Sequence, residues 1–189
     1  MDAGRANADC PASKAAFRMD TKAACRVLGV DTSLRSTGIG VVEAEGSALR
    51  VLDFGRIVNA PKLPLSRCLE SLQSGVGDVI AKYSPHSVAI EGVFFCKNVR
   101  TAVTLGEARG VVIAAAARAG LSVFEYAPRR VKQAMTSNGA AGKEQVRRMV
   151  MTLLHMTSEP QEDASDALAI ALCHLNNFRR IAAIRPEPI

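Results

Sequence analysis

Apolar positions along this chain fall into two patterns, short near-continuous runs and longer stretches at helical spacing. Residues 26–31 (RVLGVD) form one such run and end in an acid, which predicts a buried strand. Residues 37–43 and 49–58 predict two more. Glu45-Gly46-Ser47 supplies the turn between them, so the chain opens as an antiparallel meander. Across 65–83 the apolar residues Leu65, Leu69, Leu72, Val76, Val79 and Ile80 recur at helical intervals, although Gly75 and Gly77 weaken the pattern. Pro85 ends that helix, and residues 88–91 predict a fourth strand, again closed by a carboxylate. Ala-rich residues 101–119 predict a long helix, and 121–126 a fifth strand. Pro128 then opens a short helix. A loop at 137–142 leads to a helix over about 143–155, and a last helix covers about 162–177.

The order β-β-β-α-β-α-β followed by helices describes a mixed α/β sheet, a meander at one side and βαβ units at the other. Right-handed crossovers make strands four and five parallel to strand one. In such sheets the site lies beyond the carboxyl ends of the parallel strands, where Asp31 and Glu91 are placed. With 189 residues, no internal repeat and no long linker, a single domain is expected. Its core covers 26–178, with a flexible tail over 1–25 and a frayed, Pro-rich end over 179–189.

Composition narrows the class. Hydrophobic residues make up 48% and charged residues 22%, ordinary for a globular protein. Arg109 and Arg118 interrupt the richest apolar stretch, which leaves no run of about 18 apolar residues and so no membrane span. Aromatics at 4%, with no Trp, argue against a sugar-binding platform. The net charge of +6 is unevenly spread: ten basic residues face three acids between Lys97 and Arg148, against 14 and 15 in the rest of the chain. A polyanion-binding surface concentrates charge in this way, although a solvated basic face has the same composition. The five cysteines contain no C-x-x-C, so neither a zinc site nor a disulfide framework is indicated. With no apolar leader in the tail, a cytoplasmic protein with reduced thiols is expected.

Four acids carry the candidate chemistry. Asp31 and Glu91 end equivalent strands, whereas a single such acid would as readily cap a turn. Asp163 and Asp166 fall at i and i+3 on one face of the last helix, and Ile170 and Cys173 continue that face toward the core. Acids in a first helical turn also oppose the macrodipole, which is the competing explanation for that pair. Four convergent carboxylates repel one another and raise each other's pKa unless a cation sits among them. Hard oxygen ligands without His or Cys select Mg²⁺, with Mn²⁺ able to substitute. A metal-binding acid cluster beside a basic segment describes a nuclease, in which two ions activate water and stabilise the leaving 3′ oxygen.

Five ordered blocks make the pattern specific: LGVDTSLRSTGIGVV, AIEGVFFCKN, LGEARGVV, VFEYAPRRVKQAMT and EDASDALAIALCH. Over roughly 26–177 the chain resembles the RuvC family of crossover junction endodeoxyribonucleases, the bacterial Holliday junction resolvases. The resemblance implies an RNase H-like fold, a mixed five-stranded sheet flanked by helices. It further implies a homodimer that nicks four-way DNA junctions symmetrically with Mg²⁺, about two ions per site, leaving 5′-phosphate and 3′-hydroxyl ends. Carried over by position, Asp31, Glu91, Asp163 and Asp166 become the catalytic metal ligands. Lys132 and Lys143 match lysines near the scissile phosphates. Phe94 matches an aromatic wedge that unstacks bases at the junction, and Lys97, Asn98, Arg129 and Arg130 fall in DNA-binding positions. The RuvA and RuvB branch-migration proteins are the implied partners. Gly106 and Gly110 form a G-x-x-x-G, the usual mark of close packing, on a helix the resemblance puts near the dimer interface.

Two departures stand out. Thr32-Ser33 follow the first acid where the family commonly has Pro-Gly, which predicts an altered loop around Asp31. Gly92 follows Glu91 where a larger polar residue is frequent. Two competing functions share part of this pattern. A junction-binding protein with impaired cleavage would fit the altered turn but not the four intact acids. An actin-like kinase would explain Asp31-Thr32-Ser33 with Thr37-Gly38, but 189 residues do not supply its two domains, and the Asp163/Asp166 pair has no place in it. The segment Gly139 to Glu144 is no phosphate-binding P-loop, since its glycine spacing is wrong and no Ser or Thr follows Lys143.

Overall fold

A computed structural model describes residues 24–92, 98–178 and 186–189. The strands are β1 (Cys25–Asp31), β2 (Ser36–Glu45), β3 (Ala48–Val58), β4 (Ser87–Glu91) and β5 (Ser122–Tyr126). The helices are α1 (Leu65–Tyr83), α2 (Val99–Arg118), α3 (Pro128–Thr136), α4 (Lys143–Leu153) and α5 (Glu162–Phe178). They form one sheet in the order β3-β2-β1-β4-β5. The first three strands are antiparallel, and β4 and β5 run parallel to β1, as the crossover rule requires. The expected elements are all present, and their ends shift by two residues at most.

Both faces of the sheet are covered, which explains why β1 reads as a continuous apolar run. Leu28 and Val30 point into the core shared with α1 and α2, while Val27 points into the core shared with α3, α4 and α5. Ile170 and Cys173 are buried, as the stripe on the last helix predicts. Burial then extends around α5 from Ala167 to Leu175, because the helix lies between the sheet and α3 and α4.

Glycine lets α5 approach so closely. A Cβ at Gly38 would overlap the carbonyl oxygen of Asp163, and one at Gly29 would overlap that of Ala167. One at Gly40 would come within 2.8 Å of the Leu168 side chain. These residues form a trough across β1 and β2 in which the α5 backbone rests directly on the sheet. The Gly106/Gly110 pair behaves otherwise: a Cβ at either position meets nothing within 4 Å among the described residues. The close packing expected of that motif is therefore not made among the described residues. Gly75 does pack, since a Cβ there would come within 2.8 Å of the Ile57 side chain on β3.

The β2–β3 hairpin carries an irregularity with consequences for the site. Val42 pairs with Val51 but Val41 pairs with Asp53, so Leu52 is an extra residue in β3. Beyond that bulge every β3 side chain changes face relative to a regular hairpin. At the other edge of the sheet, the Ile189 amide donates to the Val123 carbonyl oxygen at 2.9 Å.

Candidate active site

Backbone register assembles the acids. Val30 pairs with Ile90, which brings the next residues, Asp31 and Glu91, to the same level at the ends of adjacent parallel strands. Neighbouring strands lie about 4.8 Å apart, so the two carboxyls are close by construction. On its other side Asp31 pairs with Gly38, and the first turn of α5 sits over Gly38 with Asp163. Asp166 follows one turn later on the same helix face. Two strands and one helix thus deliver four acids to the carboxyl end of the sheet.

The turn after Asp31 is closed by side chains. Ser33 N–H donates to Thr37 Oγ1 at 3.2 Å, and the Thr37 hydroxyl donates back to the Ser33 carbonyl oxygen. Neither Thr32 nor Ser33 takes a positive φ. Thr-Ser therefore fits this loop without the conformational freedom that glycine supplies. The Gly92 amide donates to the Tyr126 carbonyl oxygen at 2.9 Å, which continues the β4–β5 pairing past Glu91.

Electrostatics set the cluster apart from a structural ion pair. Burial pushes the Asp31 carboxyl up to about 7, helped by repulsion from Glu91, Asp166 and Asp163 and opposed by Lys143. Glu91 is raised by burial and by Asp166, against Lys143 and Lys132. Asp166 is raised by burial, with Glu162 and Asp163 adding repulsion and Lys143 opposing it. Glu43 shows what a structural carboxylate looks like in the same sheet. Arg26 and Arg50 both hydrogen-bond it and hold it below the usual range. Among the described residues neither Asp31 nor Glu91 has such an ion pair. Half-buried, mutually repelling acids clustered in this way are characteristic of functional sites.

The helix acids are engaged by cations and a hydroxyl. Lys143 Nζ lies 2.5 Å from Glu162 Oε1 and 3.4 Å from Asp166 Oδ2. Arg56 Nη1 lies 3.8 Å from Asp163 Oδ2, which also accepts from the Ser36 hydroxyl. As the side chains stand, no three acid, His or Cys groups among the described residues are gathered to hold a metal. The donor set nonetheless fits a hard divalent cation. All four donors are carboxylates, and Asp31 repels the other three, which a bound cation would relieve.

The other predicted residues divide. Lys132 on α3 is close enough to Glu91 to stabilise its charge. Arg129 lies on the exposed side of α3, its stem against Gly139. Arg130 is tied to Asn177 Oδ1 at 2.6 Å, eleven residues and therefore roughly 16 Å along α5 from Asp166. Asn98 caps α2, its side-chain oxygen accepting from Arg100 and Thr101 N–H groups at 2.9 and 3.3 Å. Phe94 and Lys97 lie outside the described residues.

Four residues at the site escaped the sequence: Arg56, Ser36, Glu162 and Arg109. Arg109 on α2 donates to the Glu91 carbonyl oxygen at 2.5 Å and pairs with Glu125, fastening the end of β4. Glu162 adjoins Asp163, so its position at the site was available from the motif. Arg56 required knowledge of the bulge. In a regular hairpin it would face Thr37 on the opposite side of the sheet.

Comparisons with known proteins identify the family and the fold. The family model "Crossover junction endodeoxyribonuclease RuvC" matches residues 27–174. A protein of that name from Myxococcus xanthus is 51% identical over 156 residues, 82% of each chain. One from Trichlorobacter lovleyi is 48% identical over 154 residues, covering 82% of this chain and 86% of its own. Among solved structures, Thermus thermophilus RuvC in complex with a Holliday junction substrate superposes with a TM-score of 0.82 at 33% identity. That match spans 87% of this chain and 99% of the other. The chain thus shares the fold of that solved structure, and it belongs to the RuvC family of crossover junction endodeoxyribonucleases.

Proposed function

We propose that this chain resolves four-way DNA junctions by hydrolysing one phosphodiester bond per active site. The observation that carries this reading is the position of Asp31, half-buried at a strand end and repelled by Glu91, Asp163 and Asp166 together. Such a cluster is costly without a cation and well suited to one. Mg²⁺ bound there, about two ions per site, supplies a more acidic water and charge stabilisation at the leaving 3′ oxygen. The chain's own residues do the rest. Asp31 and Glu91 from the sheet and Asp163 and Asp166 from α5 hold the metal. Lys143 and Lys132 face the phosphate and offset its growing negative charge. The products are a 5′-phosphate and a 3′-hydroxyl.

Resolution of a junction takes two symmetric nicks, which fits a homodimer with one site per protomer. The exposed face of α2, with Val99, Val103, Gly106 and Gly110, is available to such a partner. DNA is held by the basic surface, with Phe94, Lys97, Asn98, Arg129 and Arg130 as contacts. RuvA and RuvB proteins deliver the junction.

Separation of cleavage from binding tests the site. Asp31→Asn removes one ligand and no cation, so it should lower nicking by at least about 100-fold, the scale of a lost transition-state contact, while leaving junction affinity within about two-fold. Loss of binding together with cleavage would make Asp31 a structural residue.

A further inference from the structure

The cations expected near DNA lie between Lys97 and Arg148, but one that reaches the acids does not. Arg56 sits on β3, where the bulge pairs it with Gly38. Cross-strand partners share a face, and Gly38 has no side chain, so the space above it belongs to Asp163. Arg56 leans into that space and places Nη1 3.8 Å from Asp163 Oδ2, with 37% of its side chain still exposed. That separation makes an ionic contact, too long for a good hydrogen bond. Among the described residues no other acid pairs with Arg56. Lys143 approaches Asp166 from α4, and Arg56 approaches Asp163 from the hairpin, so the acids are flanked by cations from two different elements.

We propose that Arg56 is a second active-site cation, which offsets Asp163 in the metal-free protein and turns to the DNA backbone once a divalent cation holds Asp163. The guanidinium suits both roles, because it stays charged and its planar fork matches carboxylate and phosphate alike. The proposal rests on the four acids being the metal site.

Two measurements on the full chain test it, using Arg56→Gln and the charge-retaining Arg56→Lys, each first checked for an unchanged melting temperature. Mn²⁺ titration without DNA reads the first role. Arg56→Gln should bind Mn²⁺ about two- to five-fold more tightly than wild type, the scale of an exposed ion pair, and Arg56→Lys should stay near wild type. Junction binding as a function of salt reads the second role, with Ca²⁺ holding the carboxylates and the strands checked intact on a denaturing gel. There Arg56→Gln should lower the slope of log K against log salt by about 0.9 per active site. In EDTA, where Asp163 keeps its guanidinium, the slopes should coincide. Unchanged Mn²⁺ affinity with an unchanged slope would overturn the proposal, as would weaker Mn²⁺ binding, which would make Arg56 a support for Asp163. A wild-type protein that binds no Mn²⁺ would overturn the metal site itself, and the proposal with it.

Discussion

Single residues here have opposite electrostatic fates according to their company. Glu43 and Asp31 are both sheet carboxylates, but Glu43 has two arginines and Asp31 has three acids. The consequence for stability has a definite sign. Folding raises the Asp31 pKa to about 7 from the usual 3.8, so the folded chain keeps a proton that the unfolded chain has lost. Asp31 therefore stabilises the fold below about pH 4, and that contribution is lost as pH rises toward 7. Glu91 and Asp166 shift in the same direction. His174 has the other sign. Burial pushes it down to about 4, so its contribution is present above pH 6.5 and is lost as pH falls. Without metal, Asp31→Asn should stabilise the protein at pH 8 by on the order of 2–4 kcal/mol, measured by urea unfolding. Mg²⁺ should raise the wild-type melting temperature at pH 8 and hardly at pH 5, since it binds ionised carboxylates. A melting temperature in Asp31→Asn no higher than wild type, without metal at pH 8, would contradict this account.

At the scale of elements, α5 joins the site to the core. Its first two turns carry two of the acids, Asp163 and Asp166, and its later turns fill the space between sheet and helices. Gly38→Ala should force the Asp163 backbone off β2 and so disturb both functions of the helix. The expected outcome is a loss of about 1–3 kcal/mol in stability, the scale of overpacking, together with a much larger fall in nicking than in junction binding. An unperturbed melting temperature would show that α5 does not rest on that glycine. Toward its other end, His174 bridges Ser87 Oγ at 3.0 Å and the Tyr126 hydroxyl at 2.8 Å. His174→Ala strands two buried hydroxyls and should cost about 2–4 kcal/mol, read from denaturant midpoints. Much of this was legible in the sequence. Apolar runs and helical spacing located every element, and Asp31, Glu91, Asp163 and Asp166 were marked by where they ended or began one. Arg56 was not, because a one-residue bulge, with no signature in the apolar pattern, decides which face it takes. The α5 trough was also hidden, since glycines in a strand do not reveal which backbone will approach them. Gly106 and Gly110 form a packing motif that meets no partner among the described residues.

At the scale of the molecule, charge and chemistry occupy adjoining regions. Helices α3 and α4 pack against α5 and bring Lys132 and Lys143 near Glu91 at the carboxyl end of the sheet. The hairpin contributes Arg56 from the opposite side. This arrangement accounts for a site that binds DNA broadly by charge but cuts only where metal and phosphate meet. The most direct measurement is strand-by-strand nicking of a synthetic mobile four-way junction, with and without Mg²⁺, beside a linear duplex of the same sequence. The account predicts paired nicks at symmetric positions, in the junction alone and with Mg²⁺ alone. Equal cutting of the linear duplex, or tight junction binding with no nicks in Mg²⁺, would contradict it.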